Sequence, residues 1–317
     1  MKKRILLLTL IINTAIFSCA CSKYDADEVA MRDAGIEQLN SKEYEAAIDS
    51  FNQALGMSIG KVTDLELDIN YYKAAAQFKA GLFDDAVTTY TALIKYDEDN
   101  YKPYFLRGSI YASEGEVGQA ITDYDAAVKI NPKNYLLYIE IYENLDALGY
   151  TDQGLVYLNE ALDVSDKSAN GIYYKGRIYY LLGQTGDAEE YLKKAVDKDV
   201  IEANLYLAKL YQDQGDYESA ESLLKKYASS DKVSSDALAT LGDIEMTSGE
   251  YESALGYYEA GLDLEKIDNK AELIKGKVAA LEHLGRFDEA CELLTQYVDT
   301  YPGDEEAAKE LIFLQTR

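Results

Sequence analysis

The chain has few of the side chains on which most catalytic and metal centres depend. Its 317 residues include one histidine, His283, no tryptophan, three cysteines and three prolines. A single imidazole excludes sites built from several histidines, and three cysteines without a Cys-x-x-Cys spacing leave no thiolate metal site. Because proline breaks helices, its scarcity favours long helical runs. We therefore expect an all-α protein with no metal, no cofactor and no enzymatic activity.

Basic residues are also scarce. The sequence has 31 Lys and Arg against 57 Asp and Glu, which gives a formal net charge of -26. Such a charge repels polyanions, and it argues against nucleic acid and against direct adhesion to anionic lipid head groups. It fits either an evenly solvated acidic surface or a specific acidic face for cationic partners.

Tyrosine, in contrast, is abundant. There are 29 tyrosines against 7 phenylalanines, in a chain that is 48% hydrophobic and 28% charged. A tyrosine ring can pack against a neighbouring helix while its hydroxyl stays hydrated. The composition therefore predicts a helical protein that buries a core and has many half-buried positions.

The start of the chain has the pattern of a secretory signal. Lys2, Lys3 and Arg4 precede an apolar run from Ile5 to Ile12 that extends to Phe17. This run is too short to span a bilayer comfortably and matches the apolar region of a signal peptide. We expect residues 1–18 to be removed from an exported product.

The segment Ile16-Phe17-Ser18-Cys19 resembles a bacterial lipobox, with an aliphatic residue three positions before the cysteine. The resemblance implies a diacylglyceryl thioether on Cys19, a short tether over residues 19–27, and anchoring on the extracytoplasmic side of a bacterial cell membrane or outer membrane. Cys21, preceded by Ala20, is the second choice for lipidation. An uncleaved membrane anchor and plain secretion are the alternatives.

A short turn motif of the form Gly-x-aromatic-x-x-Ala, which ends in a small residue, recurs along the rest of the chain. Its small residue returns every 32 to 39 positions, at Ala47, Ala86, Ala120, Gly154, Ala188, Ala220, Ala254 and Ala290. Five positions earlier a glycine recurs, except in the first repeat, which has Lys42. Glycine is expected there because a helix often ends in a left-handed backbone conformation. The glycines are Gly81, Gly115, Gly149, Gly183, Gly215, Gly249 and Gly285.

Two further positions keep this register. A second small residue stands twelve positions before the small residue of the motif, which predicts that two helices cross closely. It occurs as Gly35, Ala74, Gly108, Gly176, Ala208 and Gly242. A large apolar residue stands four positions after the small residue of the motif, one helical turn along the same face. It occurs as Phe51, Tyr90, Tyr124, Leu158, Leu192, Leu224, Tyr258 and Leu294. The fourth repeat departs most, with Tyr142 and Gly154 at the two small positions.

This register resembles the tetratricopeptide repeat, a pair of amphipathic helices with a period near 34 residues. The resemblance implies a right-handed α-α superhelix of about eight helix pairs over residues 28–303, followed by a capping helix at 304–317. We expect Leu311, Ile312 and Leu314 on one side of that helix, and a longer loop around Gly56 to Asp68. The expected repeats span about 28–61, 67–100, 101–134, 135–168, 169–200, 201–234, 235–268 and 271–303.

Two segments resemble ligand-binding loops but lack residues that such loops need. The segment Gly56–Val62 is one residue too short between its glycines for a phosphate loop and has Val62 where a hydroxyl belongs. Asp97–Asn100 lacks the turn glycine and distal glutamate of a calcium loop. Cys291 is interpreted as a small buried residue, and no disulfide framework is expected.

In the family the first helices of successive repeats line a concave groove. Mapped onto this sequence, the groove positions are Tyr71, Ala75, Phe78, Phe105, Ser109, Tyr173, Arg177, Tyr180, Leu205 and Lys209. Aromatic rings with a few basic groups suit a peptide partner, and the seven aromatic or basic members form the predicted binding set. Each ring could instead be a packing residue. The Lys and Asn ring of chaperone-binding relatives is not reproduced at these positions.

The sequence thus predicts a non-catalytic protein-interaction scaffold of the cell envelope that binds a protein or peptide partner. One alternative is a subunit that binds carbohydrate or wall polymer, because sugars stack on aromatic rings. Another is a purely structural role within a larger envelope complex.

Overall fold

The computed structural model describes residues 24–58 and 62–316. Over these residues the chain forms seventeen α-helices and no strand, so the predicted all-α fold of eight helix pairs and a final helix is confirmed. The predicted signal peptide, Cys19 and Cys21 lie outside the described residues. In the described part, no helix has the length and apolar character needed to cross a membrane.

The helices fall into two compact units, one ending at Ser165 and the other beginning at Asp166. Within each unit a helix packs mainly against its neighbours in sequence, as expected for stacked repeats. The first unit contains α1 (Ala26–Asn40), α2 (Tyr44–Met57), α3 (Asp64–Lys79), α4 (Phe83–Tyr96), α5 (Tyr101–Ser113), α6 (Val117–Ile130), α7 (Tyr135–Ala147) and α8 (Thr151–Asp163). The second contains α9 (Ala169–Leu181), α10 (Thr185–Val196), α11 (Ile201–Asp213), α12 (Tyr217–Ala228), α13 (Ser235–Ser248), α14 (Tyr251–Leu262), α15 (Lys270–His283), α16 (Phe287–Thr300) and α17 (Glu305–Leu314).

The two helices of a pair approach each other most closely at the recurring small residues. A Cβ atom added to Gly108 would lie 2.9 Å from Cε1 of Tyr124, and one added to Gly242 would lie 2.5 Å from Cε1 of Tyr258. Both tyrosines belong to the large apolar position of their own repeat. The first helix therefore lies directly on the large side chain of the second, and there is no room for a Cβ without a shift.

In the fourth pair the helices cross as closely, but the large residue is on the first helix and the small residue is on the second. Tyr142 occupies the first-helix position, and Gly154 stands opposite it on α8. A Cβ on Gly154 would lie 3.0 Å from Cδ2 of Tyr142 and 3.2 Å from its Cα. The departure from the repeat pattern is thus compensated, because the glycine on α8 makes space for the ring on α7.

The left-handed turns expected from the glycines are present. All seven turn glycines have φ between 69° and 87°. In the first pair Lys42 has φ 64°, so a residue with a Cβ adopts the same conformation there. For such a residue the left-handed region costs roughly 1–2 kcal/mol.

An ion pair joins three helices of the first unit. Arg107 on α5 donates two hydrogen bonds to the carboxylate of Asp123 on α6, at 2.8 and 2.7 Å, and a third to Oγ1 of Thr91 on α4, at 2.8 Å. Asp123 is 4% exposed. The hydrogen bonds to Asp123 raise the pKa of the Arg107 guanidinium. Removing one member of such a buried pair typically costs about 3–5 kcal/mol, so this contact orders α4, α5 and α6 relative to one another.

The loop expected around Gly56 to Asp68 is shorter than the sequence suggested. Helix α2 continues through Met57, and α3 begins at Asp64. Thr63 caps α3 by accepting a hydrogen bond from the Leu65 amide at 3.2 Å, while Glu66 accepts one from the Thr63 amide at 2.8 Å. This reciprocal capping box starts the helix ahead of the expected position.

The final helix, α17, packs against α16 with only part of its expected face. Ala307 and Leu314 are buried and Leu311 is partly buried, but Ile312 is 64% exposed. Positions 307, 311 and 314 are spaced by four and three residues and share one side of the helix, whereas position 312 does not. The expectation that Ile312 lies on the packed side is therefore wrong.

The exchanged volumes of the fourth pair lead to a double-mutant prediction. Gly154→Ala should lower the free energy of unfolding by about 1–3 kcal/mol, because the added methyl group overpacks the crossing against Tyr142. Adding Tyr142→Ala should make the combined loss smaller than the sum of the two single losses, since the second pair has alanine at both equivalent positions, Ala74 and Ala86, and both are fully buried. Urea unfolding followed by circular dichroism measures all three variants. Additive losses would show that the two residues do not share the crossing.

Candidate functional site

The predicted binding residues lie in both units, on the first helices of their pairs. The first unit holds Tyr71 and Phe78 on α3 and Phe105 on α5. The second unit holds Tyr173, Arg177 and Tyr180 on α9 and Lys209 on α11. Each unit therefore carries its own set.

In the first unit the three rings are half-buried. One side of each ring packs on the second helix of its own pair, which leaves the remainder accessible. The ring centroids are 5.7–6.4 Å apart for Tyr71 with Tyr90, Phe78 with Phe83, and Phe105 with Tyr124. These rings thus contribute to packing and to the surface at the same time.

The hydroxyl group of Tyr71 is held by the start of the next helix pair. It accepts a hydrogen bond from Nδ2 of Asn100 at 3.2 Å, and Asn100 in turn caps α5 by accepting one from the Lys102 amide at 3.1 Å. Burial raises the pKa of Tyr71 to about 12. The phenol therefore stays protonated near neutral pH and can donate a hydrogen bond.

Three of the mapped positions are buried. Ser109 is 3% exposed, Tyr173 is 7% exposed and Leu205 is 8% exposed. Tyr173 packs in the core of the second unit with Ala188 and Leu192. For Tyr173 and Leu205 the structure supports packing, because each lies in a hydrophobic core with residues of the second helix of its pair. Ser109, on α5, is hydrogen-bonded to the Phe105 carbonyl oxygen and to Asn144.

In the second unit the predicted residues gather around Tyr206 on α11, which sequence reasoning missed. The guanidinium carbon of Arg177 lies 5.0 Å from the centroid of the Tyr206 ring, and Nζ of Lys209 lies 5.8 Å from it. The rings of Tyr173 and Tyr180 contact the same ring at centroid distances of 6.0 and 6.1 Å. Tyr206 is half-buried. We call this group the Tyr206 cluster.

The register of the repeats contained a signal for Tyr206. Residues 173 and 205 are equivalent in adjacent repeats, and residues 174 and 206, both tyrosine, are the next equivalent pair. In the fifth and sixth pairs the first of these columns is buried and the second is half-buried. In the second and third pairs the columns are reversed, since Tyr71 and Phe105 are half-buried whereas Tyr72 and Leu106 are buried. The accessible column therefore differs from pair to pair.

Two acidic side chains hold the polar ends of the Tyr206 cluster. The hydroxyl of Tyr180 donates a hydrogen bond to Asp213 at 2.9 Å, and Lys209 pairs with Asp236 of α13 at 2.5 Å. Burial and the hydrogen bond to Asp213 raise the pKa of Tyr180. The cluster therefore presents neutral phenols and two cations near an aromatic face, an arrangement suited to contact with another molecule.

The remaining reactive side chains are dispersed. His283 stacks on Tyr251 with ring centroids 4.4 Å apart. Cys291 has a free thiol and is only partly buried against the core of the second unit, so the expectation of a buried cysteine is wrong in degree. Across residues 24–58 and 62–316, no group of three or more histidine, cysteine or acidic side chains could hold a metal ion.

Comparisons with known proteins agree with the helical architecture. Three family models described as tetratricopeptide repeat match residues 71–135, 179–244 and 271–314. No curated protein sequence matches the chain. A tetratricopeptide repeat protein from Parabacteroides merdae is similar with a TM-score of 0.51 and 15% identity, over 81% of this chain and 100% of that one.

Two further solved structures share the fold. PilW, a type IV pilus biogenesis factor, has a TM-score of 0.51 and 21% identity over 67% of this chain and 98% of its own. The Cut9–Hcn1 hetero-tetramer of the APC/C has a TM-score of 0.53 and 14% identity over 90% of this chain and 55% of that one. At these identities the likeness concerns the fold.

Proposed function

Because the chain carries tetratricopeptide repeats, we propose that it is a non-catalytic scaffold that binds a protein or peptide partner through its first helices. The observation that supports this most directly is the Tyr206 cluster. Tyrosine and arginine are the residue types that most often dominate protein interfaces, because they combine large contact area with directed hydrogen bonds. Here an arginine, a lysine and two tyrosines meet at one half-buried ring.

The cluster is held in place before a partner arrives. The contacts of Tyr180 with Asp213 and of Lys209 with Asp236 fix two of its side chains. Side chains that are already ordered lose less conformational entropy on binding, so more of the contact energy contributes to affinity.

Solved structures with this fold provide precedents. Cut9–Hcn1 is a hetero-tetramer of two different proteins, and PilW is a factor in pilus biogenesis. We propose that the repeats of the present chain bind another protein. Sugar binding finds less support, since the ring of Tyr173 is buried and the hydroxyl of Tyr180 is already bonded to Asp213.

The envelope location is part of the proposal and rests on the sequence. Lys2, Lys3 and Arg4, the apolar run after them, and the lipobox-like Ile16–Cys19 favour export and a lipid on Cys19, with Cys21 as the alternative. Two acyl chains would keep the protein at a bacterial cell membrane or outer membrane.

The anchor is tested by comparing Cys19→Ala with Cys21→Ala in the native cell. Cys19→Ala should abolish the acyl mass on the N-terminal peptide and release the protein from the membrane fraction, whereas Cys21→Ala should change neither. Mass spectrometry of the N-terminal peptide gives the readout. The reverse pattern would assign the lipid to Cys21, and an unmodified wild type would remove the anchor from the proposal.

Partner binding is tested by crosslinking in the native cell and quantitative mass spectrometry. A Tyr206→Leu, Arg177→Gln variant should recover at least about tenfold less partner than wild type, because it removes the aromatic face and one cation but keeps apolar volume. Tyr217→Ala is the matched control, since Tyr217 is a 47% exposed tyrosine on α12 of the same unit. Circular dichroism verifies the fold of both variants.

Equal recovery of the partner with both variants would contradict the proposed site. Recovery of wall polymer without any protein would favour the carbohydrate alternative. Reproducible turnover by the pure protein that a point substitution abolishes would contradict a non-catalytic role.

A further inference from the structure

The final helix, α17, packs on the eighth pair in the way that a first helix packs on the pair before it. Its third and tenth residues, Ala307 and Leu314, are 1% and 4% exposed. The third and tenth residues of α13, Ala237 and Ile244, are as deeply buried, at 0% and 3%. The face of α17 that meets the preceding helices therefore repeats the packing of a first helix.

The resemblance ends at the position of the close crossing. Ile312 is the eighth residue of α17, and it is 64% exposed. In four other first helices the eighth residue is the small residue of the crossing and is buried against the second helix. These residues are Gly108, Gly176, Ala208 and Gly242. The surface that a second helix covers in those pairs is therefore exposed on α17.

This exposed surface is apolar at its centre. Ile312 is followed by Phe313, which is 49% exposed, and in the described part of the chain they are the only two consecutive residues among the exposed large hydrophobic side chains. A helix that only shielded the core would have a polar residue at the crossing position, because the outer face of a terminal repeat is normally polar. Two adjacent apolar side chains instead favour contact with another molecule.

A base and an acid continue the stripe of Ile312 toward the start of α17. Lys309 precedes Ile312 by about one helical turn, and Glu305 precedes it by about two, so the three side chains lie along one side of the helix. Both charged residues are exposed. Among the residues that the structure describes, neither has an ion-pair partner. Both charges can therefore pair with a molecule that covers the stripe.

The repeats of this chain show what covers such a stripe. In each pair it is a second helix, which runs antiparallel to the first because a short turn joins the two. An antiparallel helix on α17 would meet Ile312, then Lys309 one turn later and Glu305 two turns later. The fourth pair places Gly154 opposite the large Tyr142, so a small residue is expected opposite Ile312. The matching helix has this small residue, an acid one turn later and a base two turns later.

A second copy of α17 does not match this order of charges. In an antiparallel pair of two α17 helices with Ile312 against Ile312, Lys309 lies opposite Gln315 of the other copy. Glu305 then lies beyond the end of the other helix, which is at Leu314. Neither charge is paired in that arrangement, so charge complementarity favours a different helix.

We propose that α17 binds an amphipathic helix of another protein, which lies against it as the second helix of a ninth pair. This helix places a small residue against Ile312, an acid against Lys309 and a base against Glu305. The contact is separate from the Tyr206 cluster, which lies on α9 and α11, and does not depend on it. The second unit thus has a further docking surface, and its partner has a defined pattern of charge.

The test uses two synthetic helical peptides of about 15 residues, which is about four turns. Both have an alanine to face Ile312, with leucines beside it. The matched peptide has aspartate one turn after the alanine and lysine two turns after it, and the swapped peptide has these two charges exchanged. Fluorescence anisotropy measures their affinity for the full chain. The matched peptide should bind at least about tenfold more tightly, because the swapped charges meet like charges.

Variants of the chain separate the charges from the apolar contact. Glu305→Lys, Lys309→Glu should reverse the preference between the two peptides, which an effect of peptide helicity alone would not do. Ile312→Ser should weaken binding of the matched peptide about tenfold. Val156→Ser is the matched control and should have no effect, because Val156 is a 62% exposed apolar residue on α8. Circular dichroism verifies the fold of all variants.

Equal affinity of the two peptides for the wild type would overturn this inference, as would unchanged binding in Ile312→Ser or failure of both peptides to bind. A dimer of the free chain that Ile312→Ser dissociates in analytical ultracentrifugation would also overturn it, because a second copy would then cover α17. The Tyr206→Leu, Arg177→Gln variant should bind the matched peptide as the wild type does. The two proposals can therefore fail separately.

Discussion

The close crossing of the two helices in each pair is the contact on which the rest of the structure depends. At Gly242 the gap to the ring of Tyr258 leaves no room for a methyl group, and Ala254, at the small position on the second helix, is fully buried. A helix pair this small cannot bury its whole apolar surface alone, so adjacent pairs stack and form a continuous core within each unit. One face of every first helix is thereby committed to packing, and the side chains on its remaining surface are available for other contacts.

The crossing constrains the combined volume of the two facing side chains more strongly than it constrains which residue type stands on which helix. Most pairs combine a small residue on the first helix with a large one on the second, yet the fourth pair places Tyr142 opposite Gly154. The turns obey a similar rule about conformation, since Lys42 adopts the left-handed backbone that glycine adopts in the other seven pairs. A repeat can therefore depart from the pattern where a neighbouring residue or a tolerable backbone cost of about 1–2 kcal/mol compensates.

The sequence predicts the features that demand particular residue types. Left-handed turns need glycine, and close crossings need small side chains, so the periodic positions of both identify the helix pairs. The accessible surface is harder to predict, because the half-buried column differs from pair to pair. The column that holds Tyr71 and Phe105 therefore leads on α9 to the buried Tyr173 and misses Tyr206 on α11.

Partner contact at the first helices of the second unit is the central claim, and site-specific photocrosslinking tests it most directly. A photoreactive phenylalanine analogue is placed at Tyr174, which is half-buried on α9, or at Tyr217, which is exposed on α12. After irradiation of the native cells, the account predicts a discrete adduct with one protein from position 174 and none from position 217. Adducts of equal yield from both positions, or an adduct from position 217 alone, would contradict it.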